Sequence, residues 1–166
     1  MDTISQQFQE YLTQPIAEQA AKSLADGVQI EFCIMTPKNP SLLNEPEQIV
    51  EVFTFTKKGR KNQILFQAAE HPELVFTLTP NAATEILKNP SKDIGEIGVS
   101  IAKLIISKDE NTKISIKLRS GMLGLFTKGY LGVITSGGVS FASFLATRGL
   151  SGMSAIKDAI GRMKQS

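Results

Sequence analysis

The sequence predicts an α+β fold: a five-stranded, mainly antiparallel sheet covered by helices, with extra helices at the C-terminal end. Three observations lead there. Four short apolar runs between residues 28 and 79 alternate with period two and are separated by turn residues. The segments around them repeat apolar residues every three or four positions, which places those residues on one helical face. The last third of the chain is nearly free of charge and dense in Gly, Ser, Ala, Leu and Phe.

Residues 3–25 carry Ile4, Phe8, Leu12, Ile16, Ala20 and Leu24 at steps of four, a stripe along one helix face. Pro15 removes a backbone donor within that run, so a kink or two shorter helices are expected. Asp26-Gly27 supplies the stop. Val28, Ile30, Phe32 and Ile34 then alternate with Gln29, Glu31 and Cys33 as a first strand, and the Pro-rich residues 36–48 form a loop. Residues 49–56 and 63–69 are two further strands joined by a basic hairpin turn over 57–62. After the turn at 70–73, residues 74–79 make a fourth strand, and the four together read as an antiparallel meander.

Thr79-Pro80 opens a helix over 81–88, because threonine caps a helix and proline fits its first turn. A second helix over 92–107 puts Ile94, Ile97, Ile101, Leu104 and Ile105 on one face. Residues 112–119 return to period two as a fifth strand whose other face carries Ser115, Lys117 and Arg119. Beyond it, the stretch 129–147 has no charge and approaches the ~20 residues of a membrane span. Its glycines and hydroxyl residues point instead to two apolar helices, 122–134 and 139–148, packed on the sheet. A basic helix over 151–164 closes the chain. The expected organisation is one domain over 1–166, with an N-terminal helical segment to 27, a core over 28–133 and a helical extension over 134–166.

Composition limits the chemistry. With 166 residues and 42% hydrophobic content, the chain can build a core without metal or disulfide. One cysteine, Cys33, excludes an intrachain disulfide, and one histidine, His71, excludes a pair of histidine metal ligands. A net charge of +2 offers no electrostatic reason to bind nucleic acid. No nucleophile elbow, P-loop or dinucleotide fingerprint occurs. Cys33 reads as a small buried hydrophobe, His71 as a turn residue, and Asp109-Glu110 as solvated. The glycines 121, 124, 129 and 132 read as sites of close backbone packing. No enzyme activity, metal or cofactor is expected. The amino terminus Met-Asp-Thr-Ile-Ser-Gln-Gln lacks a signal-peptide pattern, so a cytoplasmic location is the expectation.

Two features suggest partners. Lys57, Lys58, Arg60 and Lys61 form the sharpest charge cluster; it reads as a solvated turn or as a contact for an anionic membrane surface. Phe32, Phe53, Phe55, Phe66 and Phe76 lie on the strands, and Phe126, Phe141 and Phe144 on the late helices. Such a sheet under Gly-rich helices packs as an ordinary aromatic core or encloses an apolar ligand cavity.

The order of elements, with Leu74-Val75-Phe76-Thr77-Leu78-Thr79 running into a helix and Ile116-Lys117-Leu118-Arg119-Ser120-Gly121-Met122-Leu123-Gly124-Leu125 at the last strand, resembles the sterol carrier protein 2 (SCP2) family of lipid-binding domains. The resemblance covers about residues 15–133, and 127–166 extends past the usual end of that family. It implies an apolar tunnel for sterols, fatty acyl chains or isoprenoid-type lipids; some bacterial relatives are accessory lipid-binding factors in ubiquinone biosynthesis. It also implies that Met122, Leu125 and Phe126 begin the helix lining the tunnel, with Phe76, Ile86 and Leu87 contributed from the fourth strand and its helix. Phe53, Phe66, Ile101, Leu104, Phe141 and Phe144 complete the expected apolar lining. The functional expectation is therefore non-enzymatic lipid binding, as a carrier or as a protein that presents the lipid. The alternative is a self-associating or protein-interaction domain with a filled core.

Overall fold

The computed structural model describes residues 2–37 and 47–147. Its elements are α1 (Ile4–Leu12), α2 (Pro15–Ala20), β1 (Ile30–Met35), β2 (Ile49–Lys58), β3 (Lys61–Leu65), β4 (Leu74–Leu78), α3 (Pro80–Leu87), α4 (Ile94–Ile106), β5 (Ile114–Leu118), α5 (Met122–Thr127), α6 (Tyr130–Thr135) and α7 (Gly138–Thr147). This is a mixed α+β fold, with a five-stranded, mostly antiparallel sheet flanked by helices and additional helices after β5. The basic helix expected over 151–164 and most of the loop over 36–48 lie outside the described residues.

Local chemistry explains the boundaries. The first helical run divides ahead of Pro15, which becomes the first residue of α2. Thr3 and Gln6 close a reciprocal capping box on α1, and the Glu51 carboxylate accepts from the amides of Ile4 at 3.1 Å and Ser5 at 2.8 Å. Thr79 caps α3 by accepting from Ala82 N–H, and Asp93 caps α4 by accepting from Glu96 N–H.

The sheet order is β3-β2-β1-β4-β5. Strands β1, β2 and β3 form the expected meander, but β4 does not extend it. It crosses to the other side of β1 and pairs with it in parallel, Phe32 opposite Phe76. The crossing is held by side chains of β1 and the residue before it: Glu31 accepts from Ala69 N–H at 2.9 Å, and Gln29 from His71 N–H at 3.0 Å. Both pairing modes alternate with period two, so the pattern of one strand does not report the direction of its neighbour.

The β2–β3 connection is also tighter than expected. Gly59 and Arg60 both have positive φ, 57° and 67°, the requirement of a two-residue type I′ turn. Lys57, Lys58, Lys61 and Asn62 are therefore strand residues. At the far end β3 stops at Leu65, where the chain turns away through Gln67 N–H to Leu65 O at 2.8 Å.

One sheet face is the core. Ile30 and Ile34, Phe53 and Phe55, Ile64, Leu78, Ile114 and Leu118 are buried on it, with Phe8, Leu24, Ile86, Leu125 and Tyr130 supplied from the helices and adjoining segments. Instead of a single helix over 122–134, the chain breaks at Lys128-Gly129 into α5 and α6. Gly129 takes φ 85° there, and a Cβ on it would stand 1.8 Å from the Ser23 carbonyl oxygen. The close approach is locked by Ala25 N–H to Lys128 O at 2.9 Å and Ser23 Oγ to Gly129 O at 2.7 Å. Among the described residues no helix is long and apolar enough to cross a membrane.

Candidate functional site

The core-facing side of the sheet carries a row of rings. Phe32 on β1 is in register with Phe53 on β2 and with Phe76 on β4, and Ile116 on β5 continues the row beyond Phe76. Centroids of Phe32 lie 5.0 Å from Phe53 and 5.2 Å from Phe76, with planes within 9° and 12° of parallel. Phe8 of α1 closes over one end, 5.3 Å from Phe53.

Above the other end the helices stand off. Ile94, Ile97 and Ile101 of α4, spaced along one face, form a roof with Val133 and Ile134 of α6. Between roof and sheet lies a cavity of about 370 Å³, lined almost wholly by apolar side chains. A neighbouring lobe of about 240 Å³ runs under α2, bordered by Ile16, Ala17, Leu24 and Asn62. Tyr11, Leu12, Phe32, Phe76, Ile97, Ile101 and Val133 line both lobes. Phe32, Phe76, Ile101 and Ile116 are consequently only half-buried, although they occupy the inward side of the fold. The Tyr11 phenol is pushed above its ordinary range by burial.

The walls are tied at two places. Lys57, 5% exposed, donates to the carbonyls of Leu24 at 2.9 Å, Ala21 at 3.0 Å and Lys22 at 3.4 Å. Its ammonium thus holds the chain end of α2 against the sheet. The second tie is Glu73, just ahead of β4. Its buried carboxylate accepts from Gln29 N–H at 2.5 Å and Tyr130 Oη–H at 3.2 Å, and is paired with Lys128. Its backbone bonds Gln29, Arg119 and Ser120. Burial first, then the Glu73 charge and hydrogen bond, drive the Tyr130 phenol far above the usual range. Glu73 thereby fastens the start of α6, one wall of the cavity, to the sheet.

Of the residues expected to line a tunnel, Phe76, Ile86 and Ile101 border the larger lobe. Phe53 is fully buried beneath Phe8, one ring away from it. Leu87 packs against the core and Leu125 is buried in it, while Leu104 faces a separate groove between α3 and α4. Phe126 and Phe144 are half-buried and do not border the cavity. Phe66 is 54% exposed, because β3 ends before it. Met122 lies on α5 and Phe141 on α7; their side chains fall outside the description.

The lining that residue reasoning passed over is Phe8, Tyr11, Leu12, Phe32, Ile97 and Val133. A signal for most of it was present. Phe8, Leu12 and Ile16 belong to one stripe at steps of four, Phe32 shares its strand face with Ile30 and Ile34, and Ile97 shares its helix face with Ile101. What the stripes do not encode is which faces oppose one another.

The basic cluster requires a correction. Lys57 does not belong to an exposed turn: it continues the inward parity of Phe53 and Phe55, and its ammonium is buried among carbonyls. Lys58, Arg60 and Lys61 are exposed, with Lys61 paired to Glu18 at 3.2 Å. The Asp26 carboxylate accepts from Gly59 and Arg60 N–H.

Cys33 is buried on the opposite sheet face, and burial followed by the adjacent Glu31 carboxylate pushes its thiol up to about 11. His71 is exposed. Among the described residues no group of three or more His, Cys, Asp or Glu side chains is gathered as a metal site.

No protein-family model matches this sequence, and no curated protein matches it. A solved structure described as "UbiJ-SCP2 Ubiquinone synthesis protein" is similar, with a TM-score of 0.41 and 9% identity, over 80% of this chain and 95% of that one.

Proposed function

We propose that this protein binds a lipid-like ligand without transforming it, acting as a carrier or as a protein that presents the lipid to a partner. The observation that carries the reading is the apolar cavity between the phenylalanine row and α4, with half-buried rings and isoleucines on the inward side of the sheet. Its volume, about 370 Å³, is of the size used for small-molecule ligands. Burying about 200 Å² of hydrocarbon there is worth about 5 kcal/mol before the cost of association. Sterol, fatty acyl and isoprenoid chains all fit that chemistry. A non-catalytic role is further supported by the unreactive state of Cys33 and by the exposed position of His71 away from the cavity lining. The exposed Lys58, Arg60 and Lys61 at the β2–β3 turn would guide transient contact with an anionic membrane from a cytoplasmic location.

The test is native mass spectrometry of the purified protein, followed by organic extraction and lipid analysis. A stoichiometric apolar compound is the expected result. A clean unliganded mass with no uptake of fatty acid, sterol or quinone probes would instead favour the self-associating domain. That second reading has an observation of its own: Ile49 and Val50 are 61% and 55% exposed on a length of β2 that β3 does not pair.

A further inference from the structure

The described lining of the cavity is apolar apart from the Tyr11 hydroxyl, Ser136 in the larger lobe and Asn62, and of these Asn62 carries an orphaned buried acceptor. Asn62, on β3, is 5% exposed and borders the lobe under α2. Its Nδ2 donates to the Leu12 carbonyl at 2.7 Å, which settles the orientation of the amide, since the flipped form would set two acceptors against each other. Its Oδ1 is buried and has no hydrogen-bond partner, the one such side-chain atom among the described residues. Lys57, directly opposite in the β2–β3 register, does not serve it, because its ammonium is directed to the carbonyls of Ala21, Lys22 and Leu24. A buried acceptor left unmade is costly, and such groups call for a partner.

Resting on the cavity reading above, we infer that Asn62 Oδ1 is the polar subsite of the cavity and accepts a hydrogen bond from a hydroxyl on the ligand. The ligand is then a neutral lipid alcohol. Its hydroxyl lies in the lobe under α2, and its hydrocarbon runs past Phe32, Phe76 and Ile101 into the larger lobe toward Ile134 and Gly137. An ionised fatty acid is disfavoured. It would bring a carboxylate against an acceptor, with no charged side chain in the lining among the described residues.

The experiment compares hexadecanol with its methyl ether, which keeps the chain and the oxygen but has no proton to donate. Binding is measured to the full chain and to Asn62→Val. The wild-type protein is expected to bind the alcohol about tenfold more tightly, the yield of one hydrogen bond. In Asn62→Val the preference disappears while ether binding remains. Equal binding of the two probes by the wild type would overturn the inference, a buried water then serving Oδ1, and would leave the cavity reading standing. A preference that survives in Asn62→Val would overturn it as well. Binding of neither probe would overturn the cavity reading itself. The wild-type comparison decides the matter even if the variant does not fold.

Discussion

Tyr130 donates its hydroxyl to the carboxylate of Glu73 at 3.2 Å, across 57 residues of chain. The Glu73 side chain is 6% exposed and its Lys128 partner 44% exposed, so the three groups form a tie that is dry at one end and wet at the other. Removing the dry end leaves Tyr130, Lys128 and the Gln29 amide without their shared acceptor. Glu73→Ala is expected to cost about 3 kcal/mol by orphaning the Gln29 and Tyr130 donors, and Lys128→Met, which leaves the buried Glu73 carboxylate without its cation but with those two hydrogen bonds, somewhat less, about 2 kcal/mol. Urea denaturation of both variants checks the order, and amide exchange in α6 should accelerate first in Glu73→Ala.

Gly129 has no room for a side chain, and its φ of 85° adds backbone strain to the clash with Ser23. Gly129→Ala is expected to destabilise by about 3 kcal/mol or more. Gly121 has φ −70° and no atom within 4 Å of a built Cβ, so Gly121→Ser should stay within about 0.5 kcal/mol of the parent. Similar costs for the two substitutions would show that α5–α6 does not rest on residues 23–25.

Cys33 carries a thiol raised from 9.0 to about 11 by burial and by Glu31. The folded state therefore holds this proton more tightly than the unfolded chain. The stability it contributes is complete below pH 9 and is lost as pH rises from 9 toward 11. Tyr130 and Tyr11, both raised, add losses of the same sign above pH 10. At pH 8 a thiol reagent should modify the native protein about a hundredfold more slowly than the urea-unfolded chain, and Cys33→Ala should remove the part of the alkaline transition between pH 9 and 11. Equal modification rates would place the thiol in solvent.

Ile97 borders both lobes. If the space beneath it receives a ligand, Ile97→Phe fills it. Ligand occupancy by native mass spectrometry should fall, with Tm unchanged or raised. In a packed interior the same change would cost about 1–3 kcal/mol, and a calorimetric scan tells the two apart.

Gly137 lines the larger lobe at the joint between α6 and α7, where Gly138 has φ 66°. The Gly137 amide makes only a long bond to Ile134 O, at 3.4 Å. Gly137→Pro therefore removes little bonding, but it pushes Ser136 out of its αR conformation (φ −63°, ψ −21°) and stiffens the joint. Stopped-flow uptake and release of a fluorescent long-chain alcohol should both slow severalfold at constant equilibrium occupancy. Unchanged rates would exclude this joint as the route of entry.

Much of the fold was legible in the residues because it is local. Period two marked each strand, period four marked α1 and α2, Pro15 marked their division, and Thr79-Pro80 marked the start of α3. The core-facing parity of Phe32, Phe53 and Phe76 followed from the same alternation. The last helices were less legible. A charge-poor stretch shows no face, and the break at Gly129 depends on Ser23, more than a hundred residues away.

By itself, then, the amino-acid order determined most element types and inward faces, since each depends on neighbours within a few positions, and its single cysteine and single histidine excluded an intrachain disulfide and a histidine pair. The tertiary structure alone decided that β4 lies parallel to β1, that Lys57 turns inward to hold three carbonyls, and that α4 and α6 stand off the phenylalanine row. Those are relations between distant segments. Period and composition describe one segment at a time, and a cavity exists only in the space that several of them leave unfilled.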